Sequence, residues 1–187
     1  MELRMYFFVP YNISPIQQAI QAGHAMGEYA LAYGRYDPDH LIWEFLEKWK
    51  TWIILNGGTT NFEFIEVGGK KEFTGSLNQY AEVLENEAID NATFIEPDLN
   101  NALTAVCFIV DERVFNYDDY QDLSDYLLSI DFLDDTKEKY DSFRIGKKNY
   151  EELKELFPLQ YNTWERDIMG GEENVFLRQL LKGKKLA

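Results

Sequence analysis

The 187-residue chain is short of cysteine, histidine and positive charge, and each shortage narrows what it can do. Cys107 is its only cysteine. No internal disulfide can form, and a thiol inside an apolar run reads as small-residue packing in a reducing compartment. His24 and His40 are the only histidines, too few with one cysteine for the usual structural zinc sites. Lys and Arg total 18 against 33 Asp and Glu, a formal charge of −15. Such a field repels phosphate backbones, which binding proteins neutralise with Lys and Arg. Only Lys182, Lys184 and Lys185 cluster, so duplex DNA is not an expected partner. A small ligand or a basic protein fits the charge better. Long apolar runs are missing too. The longest, from Ala102 to Val110, fits a buried strand, whereas a membrane helix needs about 20 residues. The N-terminus MELRMYFFVP has neither the basic region nor the cleavage site of a secretory signal. The expectation is a cytoplasmic protein with no membrane partner.

What is present argues for a folded domain. A hydrophobic fraction of 45% and an aromatic fraction of 16% exclude a disordered chain, and the length allows one sizeable core. Leu3 to Val9 reads as a first strand. Ser14, Pro15 and Gln17 form an N-cap, a first-turn proline and a capping box, predicting a helix over 15–33 that stops at Gly34. Its sheet-facing residues are expected to be Ile16, Ile20 and Leu31. Asp37 and Pro38 repeat the start signal ahead of Leu41, Ile42, Phe45, Leu46 and Trp49 at helical spacing. Thr51 to Leu55 reads as a strand. Phe62, Phe64 and Val67 suggest a hairpin arm before Gly68-Gly69, and Ser76 with Gln79 a second capping box. Residues 93–95 and 103–110 read as strands around a short loop. This order implies an α/β fold, a mixed sheet covered by helices, over 1–111. Residues 112–187 read as an acidic helical extension packed on that core, with helices marked by Tyr120 to Leu127, Tyr150 to Phe157 and Val175 to Leu181.

Two segments carry candidate chemistry. Gln17, Gln21, His24 and Glu28 are spaced four, three and four apart, so they share one helix face. A polar stripe with a histidine near exposed helix amides suits an anionic or carbonyl group; the plain alternative is a solvated face. The loop Glu96-Pro97-Asp98-Leu99-Asn100-Asn101 offers two carboxylates and two amides at strand ends, where sites commonly sit, although Asn and Asp also dominate ordinary turns. Asn56-Gly57-Gly58-Thr59-Thr60 has phosphate-cradling residues, but no helical pattern opens directly after it, so it reads as a turn. The acidic run from Asp118 to Asp141 reads as a solvated face. No Walker loop, dinucleotide fingerprint or nucleophile elbow is present, and no cofactor or metal is implied.

These residues resemble the type 2 peptidyl-tRNA hydrolases, in which a first strand leads into a helix carrying G-K-[IV]-A-A-Q-x-x-H-A. Here 17–25, Gln-Gln-Ala-Ile-Gln-Ala-Gly-His-Ala, keeps the Q-x-x-H-A ending. The later order is similar across 3–110: a helix ending near Trp49, a strand, a helix from Ser76, then two strands flanking an Asp-containing loop before Thr104. Gln17 stands where that family has its lysine, the Asp-Ala-Gly-x-Thr pattern is shortened to Asp98-Leu99-Asn100-Asn101, and 57–73 is an insertion. The chain is also similar to uncharacterised proteins of large tailed bacteriophages. The resemblance implies a hydrolase-like protein acting on a nucleotide or RNA-derived ester or phosphoester. In that reading His24 and Asp98 are the catalytic candidates, and Gln17, Gln21, Asn100 and Asn101 bind ligand. The alternative is a non-catalytic acidic binder of a small nucleotide or a host protein.

Overall fold

In the computed structural model, which describes residues 1–60, 64–67, 70–73, 75–130 and 148–187, Leu3–Val9 forms strand β1 at the predicted bounds. It is a central strand. Thr51–Asn56 (β2) pairs with it in parallel, and Ala102–Asp111 (β6) pairs antiparallel on its other side. Asn91–Glu96 (β5) closes the sheet antiparallel to β6, giving the order β2-β1-β6-β5. Phe64–Val67 (β3) and Lys70–Phe73 (β4) make a separate hairpin, where one was predicted; Phe62 and Gly68-Gly69 lie outside the described residues.

The poor alternation of β1 now has a cause. Leu3, Met5, Phe7 and Val9 pack in one cluster with Ala22, Ala25 and Tyr29 of helix α1, which spans Pro15–Tyr29. The other face is covered as well: Phe8 stacks on Tyr80, centroids 4.1 Å apart, from helix α3 (Ser76–Asn86). A strand buried on both faces reads as a nearly continuous apolar run. Helices on both faces of a mixed open sheet make this unit α/β.

Helix α1 starts as predicted. Ser14 accepts from the Gln17 amide, and the Gln17 side chain accepts from the Ser14 amide. It runs to the predicted stop, Gly34, but its last turn, Ala30–Gly34, is π-helical. Its buried face is a correction. Ile16, Ile20 and Leu31 are 72%, 48% and 58% exposed, while Gln18, Gln21, Ala22, Ala25 and Tyr29 are buried. The sheet takes the small residues because alanines let the helix axis approach closely. The two glutamines are admitted because each is hydrogen-bonded: Gln18 donates to the Pro10 carbonyl at 3.1 Å, and Gln21 has two partners described below.

Two other start signals are corrected. Helix α2, Leu41–Glu44, continues as a π-helical turn Phe45–Trp49, and its N-cap is His40, not Asp37. Ser76 is not a cap either. Gly75 takes that position, and the Ser76 hydroxyl donates to the Gly57 carbonyl and accepts from the Thr59 amide. The turn after β2 needs its glycines. A Cβ on Gly57 would sit 2.7 Å from Leu77, and Gly58 has φ +83°.

Contacts divide the chain into two units, 1–111 with 181–187, and 112–180. The C-terminal residues belong to the first. The Asn56 amide donates to Lys185 O and the Ala187 amide to Ile54 O, along the outer edge of β2. In the second unit, Glu112–Phe115 (α4), Leu123–Ser129 (α5), Tyr150–Leu156 (α6), Pro158–Trp164 (α7) and Glu172–Leu181 (α8) surround Leu123, Leu127, Leu153, Trp164 and Val175. α7, with its π-helical continuation Glu165–Met169, was not predicted; Pro158 at its first turn was the available signal. The acidic run from residue 131 on lies outside the described residues. No helix among the described residues is long and apolar enough to cross a membrane.

Candidate functional site

Strand directions gather the loops at one end of the sheet. Val9 pairs with Asn56, so β1 and β2 end together; Glu96 pairs with Ala102, and β6 runs opposite to β1, so β5 ends there too. Three carboxyl ends, the N-terminus of α1 and the loop 97–101 therefore share that end. Open α/β sheets bind ligands outside the carboxyl ends of their strands.

The centre of this region is Gln21. Its amide nitrogen donates to Glu96 Oε2 at 2.7 Å, and its amide oxygen accepts from Thr104 Oγ1 at 2.6 Å. Thr104 lies 3.3 Å from the Phe94 carbonyl as well, and Glu96 Oε1 accepts from the Asp98 amide at 3.4 Å. One chain of hydrogen bonds thus runs from β6 through α1 to the loop after β5. Predicted helix stripe and predicted loop meet here, through Gln21 and Glu96.

The remaining candidates fall around that link. His24 is exposed, and its ring lies 4.4 Å from the Phe94 ring. Asp98 is exposed on the single 3₁₀ turn Pro97–Leu99. Asn100 and Asn101 are exposed with φ 55° and 60°, the left-handed conformation that asparagine tolerates in turns. Their backbone makes the reversal into β6. The Gln17 amide oxygen accepts from both Ser14 N and Ser14 Oγ, as part of the helix cap. No hydrogen bond joins His24 to Asp98 among the described residues.

Glu96 and Thr104 hold the link together; Glu96 was expected only as one carboxylate of the loop, without a role, and Thr104 was not a candidate. Thr104 had a signal: it is the one hydroxyl inside the apolar run 102–110. Two other reactive groups are structural. His40 Nδ1 accepts from the Ile42 amide, so the ring proton sits on Nε2, 3.1 Å from Asp90. Cys107 is fully buried, and burial pushes its thiol well above the ordinary range, which makes it a poor nucleophile. No group of side chains among the described residues has the makings of a metal site. An open groove of about 560 Å³ lies at the far end of α1, lined by Gly34, Arg35, Pro38, Trp43 and Glu47; it includes none of the predicted site residues.

No protein-family model and no curated protein sequence matches the chain.

Proposed function

We propose that the first unit is a diverged fold of the type 2 peptidyl-tRNA hydrolase kind that binds a nucleotide or RNA-derived ester where α1 meets the β5–β6 loop. The observation that carries this reading is the Gln21 bridge, which joins the helix stripe to the loop at the carboxyl end of the sheet. The chemistry of the exposed groups narrows the ligand. The Asp98 carboxylate accepts from ribose hydroxyls and base amines but repels phosphate. The paired rings of His24 and Phe94 offer an aromatic surface to a base. A ligand held by its sugar and base edges fits this set, with His24 and Asp98 free to exchange protons with an ester.

A non-catalytic binder is the second reading. It is favoured because Gln17 is occupied by the helix cap and Gln21 by Glu96 and Thr104, which leaves few unengaged polar groups to act on a substrate. The two readings separate in one experiment. Hydrolysis of an N-acetylated aminoacyl-tRNA by the full chain is measured beside binding of adenosine and of a short single-stranded RNA. Turnover lost in both His24→Ala and Asp98→Asn supports the enzyme. Binding without turnover, weakened in both variants, supports the binder. Each exposed change should cost no more than ~1 kcal/mol of stability. Unchanged binding and turnover in two well-folded variants would remove the site.

A further inference from the structure

The outward face of α1 carries an anomaly that the site does not explain. Ile16 and Ile20 are 72% and 48% exposed, and Leu31, in the following π-helical turn, is 58% exposed. Gly23 and Gly27 complete the same face, opposite the buried Gln18, Ala22, Ala25 and Tyr29. A solvated helix face normally carries charge. Here Glu28 is the only Asp, Glu, Lys or Arg in 15–34, in a chain that is 27% charged.

The glycines sharpen the point. A Cβ on Gly27 would meet nothing within 4 Å, and one on Gly23 would make only an ordinary 3.9 Å contact with Trp52. The fold of the first unit therefore requires neither. Glycine is the poorest helix former after proline, so its use at these two half-buried positions, which the packing leaves open, calls for something outside that comes close to the backbone.

We infer that this face is where two copies of the chain meet, α1 against α1. Charge selects the occupant. In a two-fold interface each patch meets itself, so a charged patch repels itself. In a chain carrying −15, an uncharged face is the one that two copies can bring together. A basic partner protein would instead be drawn to the acid-bearing surface. Shape agrees with the charge. With the helices antiparallel about a two-fold axis near Gly23 and His24, Ile20 of each copy falls opposite Gly27 of the other, and Ile16 opposite Leu31. At the two Ile20–Gly27 contacts a knob faces a gap, and the Ile16–Leu31 contacts add apolar area at the ends. One helix of this length spans about 22 Å, a small footprint, so association is concentration-dependent rather than obligate.

Sedimentation equilibrium of the full chain from about 1 μM to about 1 mM tests this. The expected result is an average mass that climbs from the 22.0 kDa of one chain toward twice that value. Raising salt should strengthen the association, because it screens the repulsion of two acidic copies and leaves the apolar contact intact. Ile20→Asp should weaken it at least about tenfold while leaving the melting temperature of the dilute protein unchanged. Gly27→Ala gives the most specific reading: it should raise the melting temperature of the dilute protein, since alanine is the better helix former, and still weaken association. A mass fixed at one chain across the whole range would overturn the inference. So would an Ile20→Asp or Gly27→Ala protein that associates as tightly as the parent.

Discussion

The two units bury polarity in opposite ways. In the first, the fully buried polar side chains are neutral and bonded: Gln18 has the Pro10 carbonyl, and Gln21 has Thr104 on one side and Glu96 on the other; the buried polar atoms left without a partner there, Trp49 Nε1 and Asn78 Oδ1, are neutral too. In the second, a guanidinium sits at the centre. Arg178 is fully buried; its Nη2 donates to the carbonyls of Arg113 and Tyr120, and its charge lies 4.4 Å from the Tyr117 ring centroid. Among the described residues, its Nε and Nη1 have no hydrogen-bond partner. Nearby, buried Tyr150 donates to Asp122. A sheet with two apolar faces tolerates neutral amides at its margin. Short helices with few apolar residues each are held by one long cation that reaches two backbone carbonyls at once.

That comparison breaks first at Arg178. Arg178→Ala removes the donor of two carbonyls and opens a cavity, and the expected cost is about 3–5 kcal/mol. Urea unfolding followed by tryptophan fluorescence reads it, since Trp164 lies in the same unit. Arg178→Lys keeps the charge but loses the planar fork, and should recover only part of the loss. A near-neutral Arg178→Ala would mean that the apolar cluster alone holds the second unit.

Alkaline titration is the next largest lever. Burial is the main cause pushing the Tyr161 hydroxyl up to about 12, and burial followed by the bond to Asp122 pushes Tyr150 well above the ordinary range. An acid whose folded pKa is raised binds its proton more tightly when folded. The stability it contributes is complete below the ordinary value of 10.0 and falls as pH rises through 12 for Tyr161, and later for Tyr150. In the first unit burial raises Tyr33 in the same direction, with hydrogen bonds to Asn91 on the same hydroxyl. The second unit should therefore lose its structure first above pH 10, seen as tyrosinate absorbance rising together with loss of helical circular dichroism. Simultaneous loss in both units would erase the distinction.

How much of this was legible beforehand follows the same divide. β1, the start of α1 and the long β6 run are local patterns, and their bounds were readable from apolar runs and a capping box. The face that α1 buries was not. Periodicity nominates the bulkiest stripe, Ile16, Ile20 and Leu31, whereas the sheet selected alanines that pack close and a glutamine, Gln21, whose partners lie 75 and 83 residues away. The site was half visible for that reason. His24, Gln21 and the 96–101 loop stand out as residue types, but Thr104 and Glu96 acquire meaning only from a tertiary partner. Arg178, one cation in an amphipathic pattern, offered no local sign that it is buried. Ser76 misled because a hydroxyl three residues before Gln79 imitates a cap, while its real acceptor is the Gly57 carbonyl across the loop.

In the first unit the corresponding break is smaller. Thr104→Val leaves the buried amide oxygen of Gln21 without its donor, at a cost of about 1–3 kcal/mol. Gln21→Leu should cost less, because Thr104 keeps the Phe94 carbonyl and Glu96 keeps the Asp98 amide. The double variant should be less destabilised than the two single losses added together, since the partner orphaned by one change is removed by the other. Strict additivity in the urea midpoints would mean that the bridge contributes nothing as a unit.

The smallest effect offers the most direct comparison, because among the described residues each unit contains one complete capping box. Ser14 and Gln17 open α1, and Asn149 and Glu152 open α6. Ser14→Ala and Asn149→Ala should each cost about 1 kcal/mol. The boxes differ in charge: Glu152 places a carboxylate on the amide end of its helix dipole, whereas Gln17 is neutral. The Asn149→Ala penalty should therefore shift between low and high salt, as the remaining Glu152–dipole attraction is screened, while the Ser14→Ala penalty should not. Helix length works in the same direction. α1 has 15 residues packed along the sheet and α6 only 7, so a lost cap is a larger fraction of what holds α6 in place. Thermal melts of both variants at two salt concentrations measure this. Equal penalties with equal salt dependence would show that the two units rely on their helix ends to the same degree, despite the different ways in which they bury charge.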